Sequence, residues 1–438
     1  MAYARIIRRR SERGAIFVIT LAILTTLVAI VASVAISENV ALQQEDNRVQ
    51  HAKALAAAKA GIQQAIETIS DEGTNGSTTS TTSTSVTGAS VDLPSASQLT
   101  DDWATIGTTG NDRFIVGDCS FRLQIVDACS KINLNTVTAT QLQNMPLDQE
   151  HMDALTDWRS TGQNALPDGA KDAYYNGLQN PYQTAVEPFA TVDELLDVRY
   201  FTPADVFDPP TDETSNPLPD FADGRTPVLY ELFTADSIGG AYNTQGTALP
   251  ALSSATLATL TRAGLGTAAQ TIFTARASAT WAALLRTVRL TGAQLTALLT
   301  NFTIGSETGR ININTAPAAV LQTIPNLTSD IAQSIVNQQQ TGFPNMGSLL
   351  TVSGLTTATS VQNFLDYFTV KSQTFLVRVV GTCGTAQVPL QATLSVTTAA
   401  TGSTVTIQSM DEQPFNDMTG RWGWQATTNN DIQLLGNS

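Results

Sequence analysis

The sequence predicts an α+β fold in which a long N-terminal helix packs on a small antiparallel sheet, with a large all-α insert. Three observations lead to this fold class. An uncharged stretch, 15–36, runs without a break into a helical pattern at 37–70. Two pairs of short apolar segments lie far apart, within 113–126 and 375–396. The long segment between them contains a repeated motif, so we expect one sheet domain split by a duplicated helical insert.

The first element is a helix long enough to cross a membrane. Residues 15–36 carry no charge, and a helix of about 20 residues spans a hydrocarbon core of about 30 Å. A cleaved secretory signal has a shorter apolar region, whereas this helix continues through Glu38 and Glu45. Flanking cations stay in the cytoplasm, and here they are Arg5, Arg8, Arg9, Arg10 and Arg13. We expect one span with a cytoplasmic N-terminus, which a plain membrane anchor explains equally well.

The exported half of this helix, 37–70, has an apolar stripe. Its apolar residues recur at helical spacing: Leu42, Val49, Leu55, Ile62, Ile66 and Ile69. Such a stripe needs a covering surface, and we expect one small sheet to cover only part of it. The next segment, 71–100, is rich in serine, threonine and glycine, so we expect a mobile loop there.

Four apolar-rich segments are predicted to be strands: 113–117, 121–126, 375–381 and 388–396. We expect them to form one sheet on the N-terminal helix, with the helical insert at 130–367 between the second and the third strand. Residues 398–438 show no periodicity. No element is therefore predicted in this tail.

The insert contains an internal duplication. Residues 131–136 (KINLNT) return as 310–315 (RININT), and each copy continues with a helical run ending in Thr-Gly and then Phe-x5-Leu-Leu-x-Val. We expect a structural role, as helix caps or turn formers, for the repeated polar residues. These are Asn133, Asn135 and Thr136 in the first copy, and Asn312, Asn314 and Thr315 in the second. Each copy is predicted to be a unit of short paired helices, at 130–200 and within 201–367, with a diverged third copy at 257–288.

Charge and length limit the function classes. The formal charge is −15, and so acidic a chain repels phosphate backbones, which disfavours nucleic acid as the main partner. The length of 438 residues exceeds what one hydrophobic core usually supports. We therefore expect two or more domains.

Catalytic groups are sparse. His51 and His151 are the only histidines, one on the N-terminal helix and one in the first helical unit, so neither a catalytic triad nor a histidine metal site is predicted. Gly264-x-Gly266-x-x-Ala269 is similar to a dinucleotide-binding loop, but no predicted strand precedes it. We predict that the protein is not an enzyme and needs no cofactor.

Three cysteines leave the disulfide pattern open. Cys119 and Cys129 bracket a segment without a turn signal, and if that segment is one strand its ends are about 30 Å apart and cannot bond. Any disulfide must therefore include Cys383, and an exported location permits one. Three buried thiols are the alternative.

The N-terminal segment resembles type IV prepilin-like sequences. Residues 13–19 (RGAIFVI) combine a basic leader, a glycine and an apolar helix, and prepilin peptidase cuts such sequences after the glycine. The resemblance implies that Gly14 ends a leader and Ala15 begins the mature chain. The formal charge then falls from −15 to −19, because five arginines and Glu12 leave with the leader. Ile19 replaces the glutamate of most members, as is typical of K-type minor pseudopilins of type II secretion systems.

The insert supports the same resemblance. Asp157-Trp158-Arg159 and 169–175 (GAKDAYY) are similar to the patterns D-W-R and G-A-E-D-x-Y-Y of that family, whose members insert SAM-like or helix-hairpin-helix units into a pilin-like head. The resemblance implies the following order: prepilin leader 1–14, transmembrane part 15–36, pilin-like domain in two parts at 37–129 and 368–397, helical units between them, and tail 398–438.

The resemblance also implies a function. K-type pseudopilins belong to the general secretion pathway, and we expect this chain to cap a pseudopilus tip and to support protein export across the outer membrane. Ile19 agrees with a tip position, because the missing glutamate is thought to pair with the N-terminal ammonium of the next subunit. The implied partners are I-type and J-type minor pseudopilins, prepilin peptidase and the inner-membrane secretion platform. The implied location is the inner membrane of a Gram-negative envelope, with the bulk in the periplasm and a methylated mature N-terminus.

Calcium is a further implication, since members of the family hold it in the head. Hard cations take clustered carboxylate and carbonyl oxygens, and the acidic residues of this region are Asp157, Asp168, Asp172 and Glu187. The sequence departs from the family pattern at Lys171, which stands at an acidic position. Solvated surface carboxylates are the alternative interpretation.

The same helical modules occur in DNA-binding proteins, so a membrane-anchored DNA-uptake or type IV pilus minor subunit is the alternative function. Such modules point a glycine-rich hairpin and nearby cations at a phosphate. The hairpins here, 145–148 (MPLD) and 324–327 (IPNL), lack both glycines and cations. We therefore expect no nucleic-acid binding.

Overall fold

A single helix dominates the N-terminal part of the chain in the computed structural model. The structure describes residues 3–72, 96–107, 112–162, 164–210, 218–399, 402–412, 418–424 and 432–433. The first helix, Tyr3–Glu72, is continuous over 70 residues, because good helix formers dominate its sequence and no proline interrupts it. We call this helix the stem, and its prediction is confirmed. Most of the predicted loop at 71–100 lies outside the described residues.

The helices of the described chain are the stem, α1, and a series of shorter helices that follow it. Their bounds are α1 Tyr3–Glu72, α2 Asp102–Thr105, α3 Ala139–Leu142, α4 Gln149–Arg159, α5 Asp172–Tyr175, α6 Pro203–Phe207, α7 Leu229–Leu232, α8 Leu257–Leu260, α9 Ala269–Ala275, α10 Trp281–Thr287, α11 Gly292–Asn301, α12 Ala318–Leu321, α13 Ser329–Gln339, α14 Ala358–Val361 and α15 Met418–Arg421. Between α8 and α9, Thr261–Leu265 is a π-helical turn. Two 3-10 helices matter for the repeats: Asp193–Asp197 and Met346–Thr351.

The strands fall into one main sheet and three two-residue ladders. Their bounds are β1 Arg113–Val116, β2 Cys119–Asp127, β3 Ile132–Asn133, β4 Phe233–Thr234, β5 Gly239–Gly240, β6 Ile311–Asn312, β7 Phe368–Thr369, β8 Lys371–Ser372, β9 Thr374–Cys383, β10 Ala386–Ala399, β11 Gly402–Glu412 and β12 Ile432–Gln433. Within the described residues the main sheet has the order β11-β10-β9-β2-β1-β12. The four predicted strands thus form one sheet, with β2 antiparallel to the distant β9.

The sheet separates the stem from the helical insert. Side chains alternate between the two faces of a strand. On β9, Val377 and Val379 join the core cluster that contains the stem. Val380 follows Val379 and lies on the opposite face of the strand, where it joins the core of the insert. The head therefore has three layers, in the order stem, sheet and insert.

Small residues bring the stem close to the sheet. A Cβ added to Gly381 on β9 would lie 2.0 Å from the Ala54 main-chain oxygen, and one added to Gly61 would lie 2.6 Å from Val379 Cγ1. Ala54, Ala58 and other small residues of the stem are buried in the same contact. The stem can approach this closely because at each of these contacts one of the two surfaces has a glycine in place of a side chain.

The predicted apolar stripe is only partly covered, as expected for one small sheet. Ile62 and Ile69 are buried against the sheet, and Leu55 and Ile66 are partly buried there. Leu42 and Val49 are 69% and 42% exposed, because the sheet contacts the stem only beyond them. The covered face is formed by alanines as much as by large apolar residues.

The tail contributes elements that the sequence did not predict. Strand β11, Gly402–Glu412, pairs with β10 along its length and extends the sheet at one edge. Trp422 and Trp424 are buried in the insert-side core, and Trp424 Nε1 donates to Gln124 Oε1 at 2.9 Å. The prediction of no element at 398–438 is therefore wrong. Alternating polar residues on β11, whose side chains are largely exposed, removed the apolar signal that identified the other strands.

A disulfide ties two strands of the sheet together. Cys119 at the start of β2 is bonded to Cys383 at the end of β9, 264 residues later in the chain. Cys129 is a buried free thiol. The requirement that any disulfide include Cys383 is met, and the alternative of three thiols is wrong. The sequence left the partner open because only the strand register places Cys119 beside Cys383.

Candidate functional site

The stem has an uncovered apolar surface. From Ile16 to Val49 its large apolar side chains are exposed, among them Ile19 at 57%. The most apolar 18-residue window of the helix has a mean hydropathy of 2.6, and no residue of that window is buried. Length and composition therefore suit a membrane-spanning helix. Gly14 and Ala15 lie within the same helix, but their side chains fall outside the described ones.

The two repeated units begin in the same way. In each, a two-residue strand of the motif pairs in parallel with a later two-residue strand, β3 with β4 and β6 with β7. Strand β4 lies beyond residue 200, the predicted end of the first unit. Each motif then leads into a four-residue helix followed by an 11-residue helix, α4 in one unit and α13 in the other. The proposed third copy at 257–288 is helical, and its Leu260, Ile272 and Leu284 are buried. No such ladder opens it within the described residues.

The second asparagine of each motif acts as a bracket between chain segments. Asn314 Oδ1 accepts from Phe343 N at 2.6 Å, and its Nδ2 donates to the carbonyl oxygens of Phe343 and Val370. Asn135 makes the equivalent bonds to Phe189 and Ala235. An asparagine amide can donate and accept at once, so these side chains extend the hydrogen bonding of a strand. They do not cap the helices, since Thr138 and Pro317 hold the N-cap positions.

The first asparagine of each motif turns the chain toward the bracket. Asn133 Oδ1 accepts from Asn135 N at 2.8 Å, and Asn312 Oδ1 accepts from Asn314 N at 3.0 Å. Their amides donate to equivalent hydroxyls, those of Ser237 and Ser372. The repeated asparagines therefore hold the same internal geometry twice, which is a structural use of these residues.

The long helix of each unit is tied to the same two carbonyl groups. Arg159 of α4 donates to the main-chain oxygens of Leu134 and Val137. Gln339 of α13 donates at 2.8 Å to those of Ile313 and Ala316, the equivalent positions of the second unit. The arginine of the D-W-R pattern is thus a structural residue.

Asp127 joins the sheet to the second unit. No sequence pattern indicated a structural role for this residue. It ends β2, is buried, and its Oδ2 accepts from Thr315 Oγ1 at 2.6 Å, Ser372 Oγ at 2.7 Å and Asn312 Nδ2 at 2.9 Å. Burial raises the pKa of Asp127 above its usual range, although these bonds act in the opposite direction. Thr136, at the equivalent position of the first unit, is exposed. No local signal in the sequence distinguishes Asp127, because its partners lie up to 245 residues away.

Buried cations lie between the sheet and the insert. Lys131 donates to the main-chain oxygen of Glu231, and Arg378 projects from β9 into the same layer, next to the Trp422 ring at 5.7 Å. Burial, reinforced by the charge of Arg378, lowers the pKa of Lys131 to about 7. The Glu231 carboxylate pairs with Arg225 at 2.9 Å. A small cavity borders Lys131 and Arg378.

The four acidic calcium candidates do not converge. Asp157 is buried, and its Oδ2 accepts from Leu166 N at 2.9 Å. Asp172 Oδ1 accepts from Thr184 N at 2.9 Å and Thr184 Oγ1 at 2.5 Å, bonds that lower its pKa. Asp168 and Glu187 are exposed. Among the residues that the structure describes, no three His, Cys, Asp or Glu side chains are grouped as metal ligands.

The two histidines lie in different parts of the fold, whereas the two hairpins lie close together. His51 Nε2 lies 3.2 Å from Glu412 Oε1 at the stem, whereas His151 Nε2 lies 4.0 Å from Asp205 Oδ2 in the insert. The two short-helix ends of the repeats contact each other, since Asn144 Nδ2 donates to the Thr323 oxygen at 3.0 Å. The hairpins thus face each other at this contact.

Comparisons with known proteins agree with the repeated units. Two family models, both described as "Type II secretion system (T2SS), protein K", match residues 130–207 and 311–371. The second segment contains the whole second asparagine bracket, and the first contains Asn135 and Phe189 but not Ala235. Among curated proteins, no relative matches the chain. Among solved structures, the GspK-GspI-GspJ complex of the type 2 secretion system from enterotoxigenic Escherichia coli is similar, with 13% sequence identity and a TM-score of 0.46 over 86% of this chain and 100% of that chain.

Proposed function

We propose that this chain caps a pseudopilus tip together with minor pseudopilins of the I and J types. It carries two type II secretion system protein K domains and belongs to that minor pseudopilin family. In this role it supports protein export across the outer membrane and catalyses no reaction. The observation that carries the proposal is the division of the stem. Beyond Ala54 one face of the stem is buried on the sheet, whereas from Ile16 to Val49 its large apolar side chains are exposed. So large an apolar surface requires a membrane or other apolar helices.

Before assembly, the stem spans the inner membrane with its N-terminus in the cytoplasm and the head in the periplasm. The arginines that precede the span favour this orientation. Prepilin peptidase cuts between Gly14 and Ala15. N-terminal sequencing of membrane-extracted chain is expected to begin at Ala15, and a chain that still begins at Met1 in cells with active peptidase contradicts this processing.

A tip position agrees with the shape of the head and with Ile19. The helical units, which we propose to be SAM-like or helix-hairpin-helix modules, cover the sheet face opposite the stem and widen the head. Heads of this width need space that a stacked neighbour would occupy. Ile19 is exposed and apolar, so it lacks the carboxylate that pairs with an N-terminal ammonium ahead of it. Both features suit a subunit with neighbours beside and below it.

The uncovered stem surface is the place to test assembly. Leu42 and Val49 lie on one helix face, seven residues apart, and are exposed. In the full-length chain, co-purified in detergent with its I-type and J-type partners, Leu42→Asp or Val49→Asp is expected to lower capture of both partners about 10-fold or more, because each variant buries an unpaired carboxylate. Gln44→Asp places the same charge on the opposite helix face and is the matched control.

The readout in cells is secretion through the same system. Deletion of the chain is expected to stop export, the Gln44→Asp form to restore it, and the Leu42→Asp form to restore it poorly. Ile62→Asp and Ile66→Asp are unsuitable probes, because both side chains pack within the head. If the chain captures neither partner and its deletion leaves secretion intact, the tip function is wrong.

A further inference from the structure

A lysine side chain occupies an oxygen-lined site in the first repeated unit. Lys171 is buried, and its Nζ donates to the main-chain oxygen of Asp157, to the main-chain oxygen of Ser160 at 2.6 Å and to Ser160 Oγ at 2.8 Å. A lysine ammonium has three N–H donors. All three are used on this cluster, which lies at the C-terminal end of α4.

The position of the cluster explains why a cation is favourable there. The last carbonyl groups of a helix lack intrahelical partners, and the helix dipole makes its C-terminal end negative. The Asp157 and Ser160 oxygens belong to this end of α4, Gln149–Arg159. A positive charge at this point adds a donor to the Asp157 carbonyl, which also accepts from Ser160 N at 3.2 Å, and supplies donors to the two Ser160 oxygens.

The surrounding loop is built closely around the same helix end. Asp157 Oδ2 accepts from Leu166 N at 2.9 Å, and a Cβ added to Gly169 would lie 1.8 Å from that Oδ2 atom. The Asp157 carboxylate therefore holds the loop backbone. Asp172, next to Lys171, directs its carboxylate to Thr184.

Calcium does not fit this arrangement. Ca²⁺ takes six to eight oxygen ligands at about 2.3–2.6 Å, several of them from carboxylates. Here the carboxylates of Asp157 and Asp172 are hydrogen-bonded to the chain itself, and an ammonium already donates to the three oxygens at the end of α4. A divalent cation at this point would meet strong repulsion from that ammonium.

We infer that Lys171 is an internal cation that replaces a bound metal ion in this head, so that the loop residues 164–171 are held to α4 independently of calcium. The resemblance of the sequence implies a metal, and the contacts of Lys171 oppose it. The same oxygen cluster becomes a calcium site when an acidic side chain takes the place of the lysine.

The test measures thermal unfolding of the full-length chain in detergent, with millimolar calcium and with a chelator. The wild-type midpoint is expected to be the same in both. Lys171→Met is expected to lower the midpoint by about 2–4 °C, and calcium is expected not to restore it. Lys171→Glu is expected to gain a calcium-dependent rise of about 3 °C or more, with binding detectable by calorimetry. Lys59→Glu inverts an exposed stem lysine and is the control for the change in charge.

Two outcomes overturn the inference. One is a wild-type midpoint that falls with the chelator or rises with calcium but not with magnesium, since the metal would then be resident. The other is a folded Lys171→Glu variant that binds no calcium, since the oxygen cluster would then be no cation site. If Lys171→Glu does not fold, the wild type and Lys171→Met still decide between the two cases. These measurements use the chain alone, so their result is independent of assembly.

Discussion

At the residue scale, the head depends on hydrogen bonds made by buried and half-buried polar side chains. The asparagine brackets replace strand-like hydrogen bonds at two equivalent places, and Asp127 connects the sheet to the second unit with three side-chain donors. Removal of one partner from such a buried network leaves a donor or an acceptor without a bond, which costs about 1–3 kcal/mol. These residues therefore specify how the layers fit together.

Lys131 predicts a pH dependence of stability. Its pKa in the fold is about 7 against 10.5 for the exposed side chain, so between these values the unfolded chain binds the additional proton. Stability then rises with pH across this window and is lost as pH falls toward 7. The free energy of unfolding of the wild type, relative to Lys131→Met, is expected to increase from pH 7 to pH 10, by at most about 1.4 kcal/mol per pH unit.

The measurement is denaturant unfolding of both chains in detergent at several pH values across that window. Lys59→Met, which removes an exposed lysine of the stem, is the control and is expected to follow the wild type. Parallel stability curves for the wild type and Lys131→Met would show that Lys131 does not titrate in this range.

At the element scale, the close contact between stem and sheet is what positions the apolar half of the stem. Gly61 and Gly381 remove the side chains that would otherwise separate the two layers. Near the same end of the sheet, Gln50 Oε1 accepts from Thr385 N at 3.1 Å, and the Cys119–Cys383 disulfide joins β2 to β9. The sheet is thus attached to the stem just beyond the uncovered apolar surface.

This contact predicts a large effect of one methyl group. Gly381→Ala places a Cβ 2.0 Å from the Ala54 oxygen, so the stem must shift, and overpacking of this kind costs about 1–3 kcal/mol. Gly292→Ala, where an added Cβ meets nothing within 4 Å, is the matched control and is expected to change stability by less than about 0.5 kcal/mol. Thermal midpoints of the two variants in detergent compare them directly. Equal midpoints would mean that the layers adapt without cost.

At the scale of the whole molecule, charge and layering argue against nucleic-acid binding. The formal charge is −15, the strongly basic residues of the sheet face the insert, and the repeats meet each other at Asn144 and Thr323. A protein without an exposed basic surface lacks the phosphate contacts that supply most of the affinity for duplex DNA.

We therefore expect the full-length chain in detergent to leave duplex DNA unretarded in a gel at physiological salt. A basic helix-hairpin-helix protein under the same conditions is the positive control. Sub-micromolar retardation that weakens with added salt would support the DNA-uptake alternative over the secretion function.

Much of this architecture follows from short-range patterns in the sequence. The stem, the four apolar strands and the duplicated motif each carry their signal within a few consecutive residues, because helices and strands impose fixed local spacings. The repeated Asn-x-Asn-Thr also marked structurally important residues. Strand β11 and the tail tryptophans were missed because their burial depends on what lies beside them.

What the sequence determined by itself was the order of the elements, the span and the duplication, and the family resemblance on which the function rests. Only the tertiary structure decided that Cys119 pairs with Cys383, that Gly381 touches Ala54 and that Lys171 fills the oxygen cluster of α4. The physical reason is separation along the chain. Each of these contacts joins residues whose neighbours in sequence carry no trace of the partner, and strand register or packing alone brings them within bonding distance.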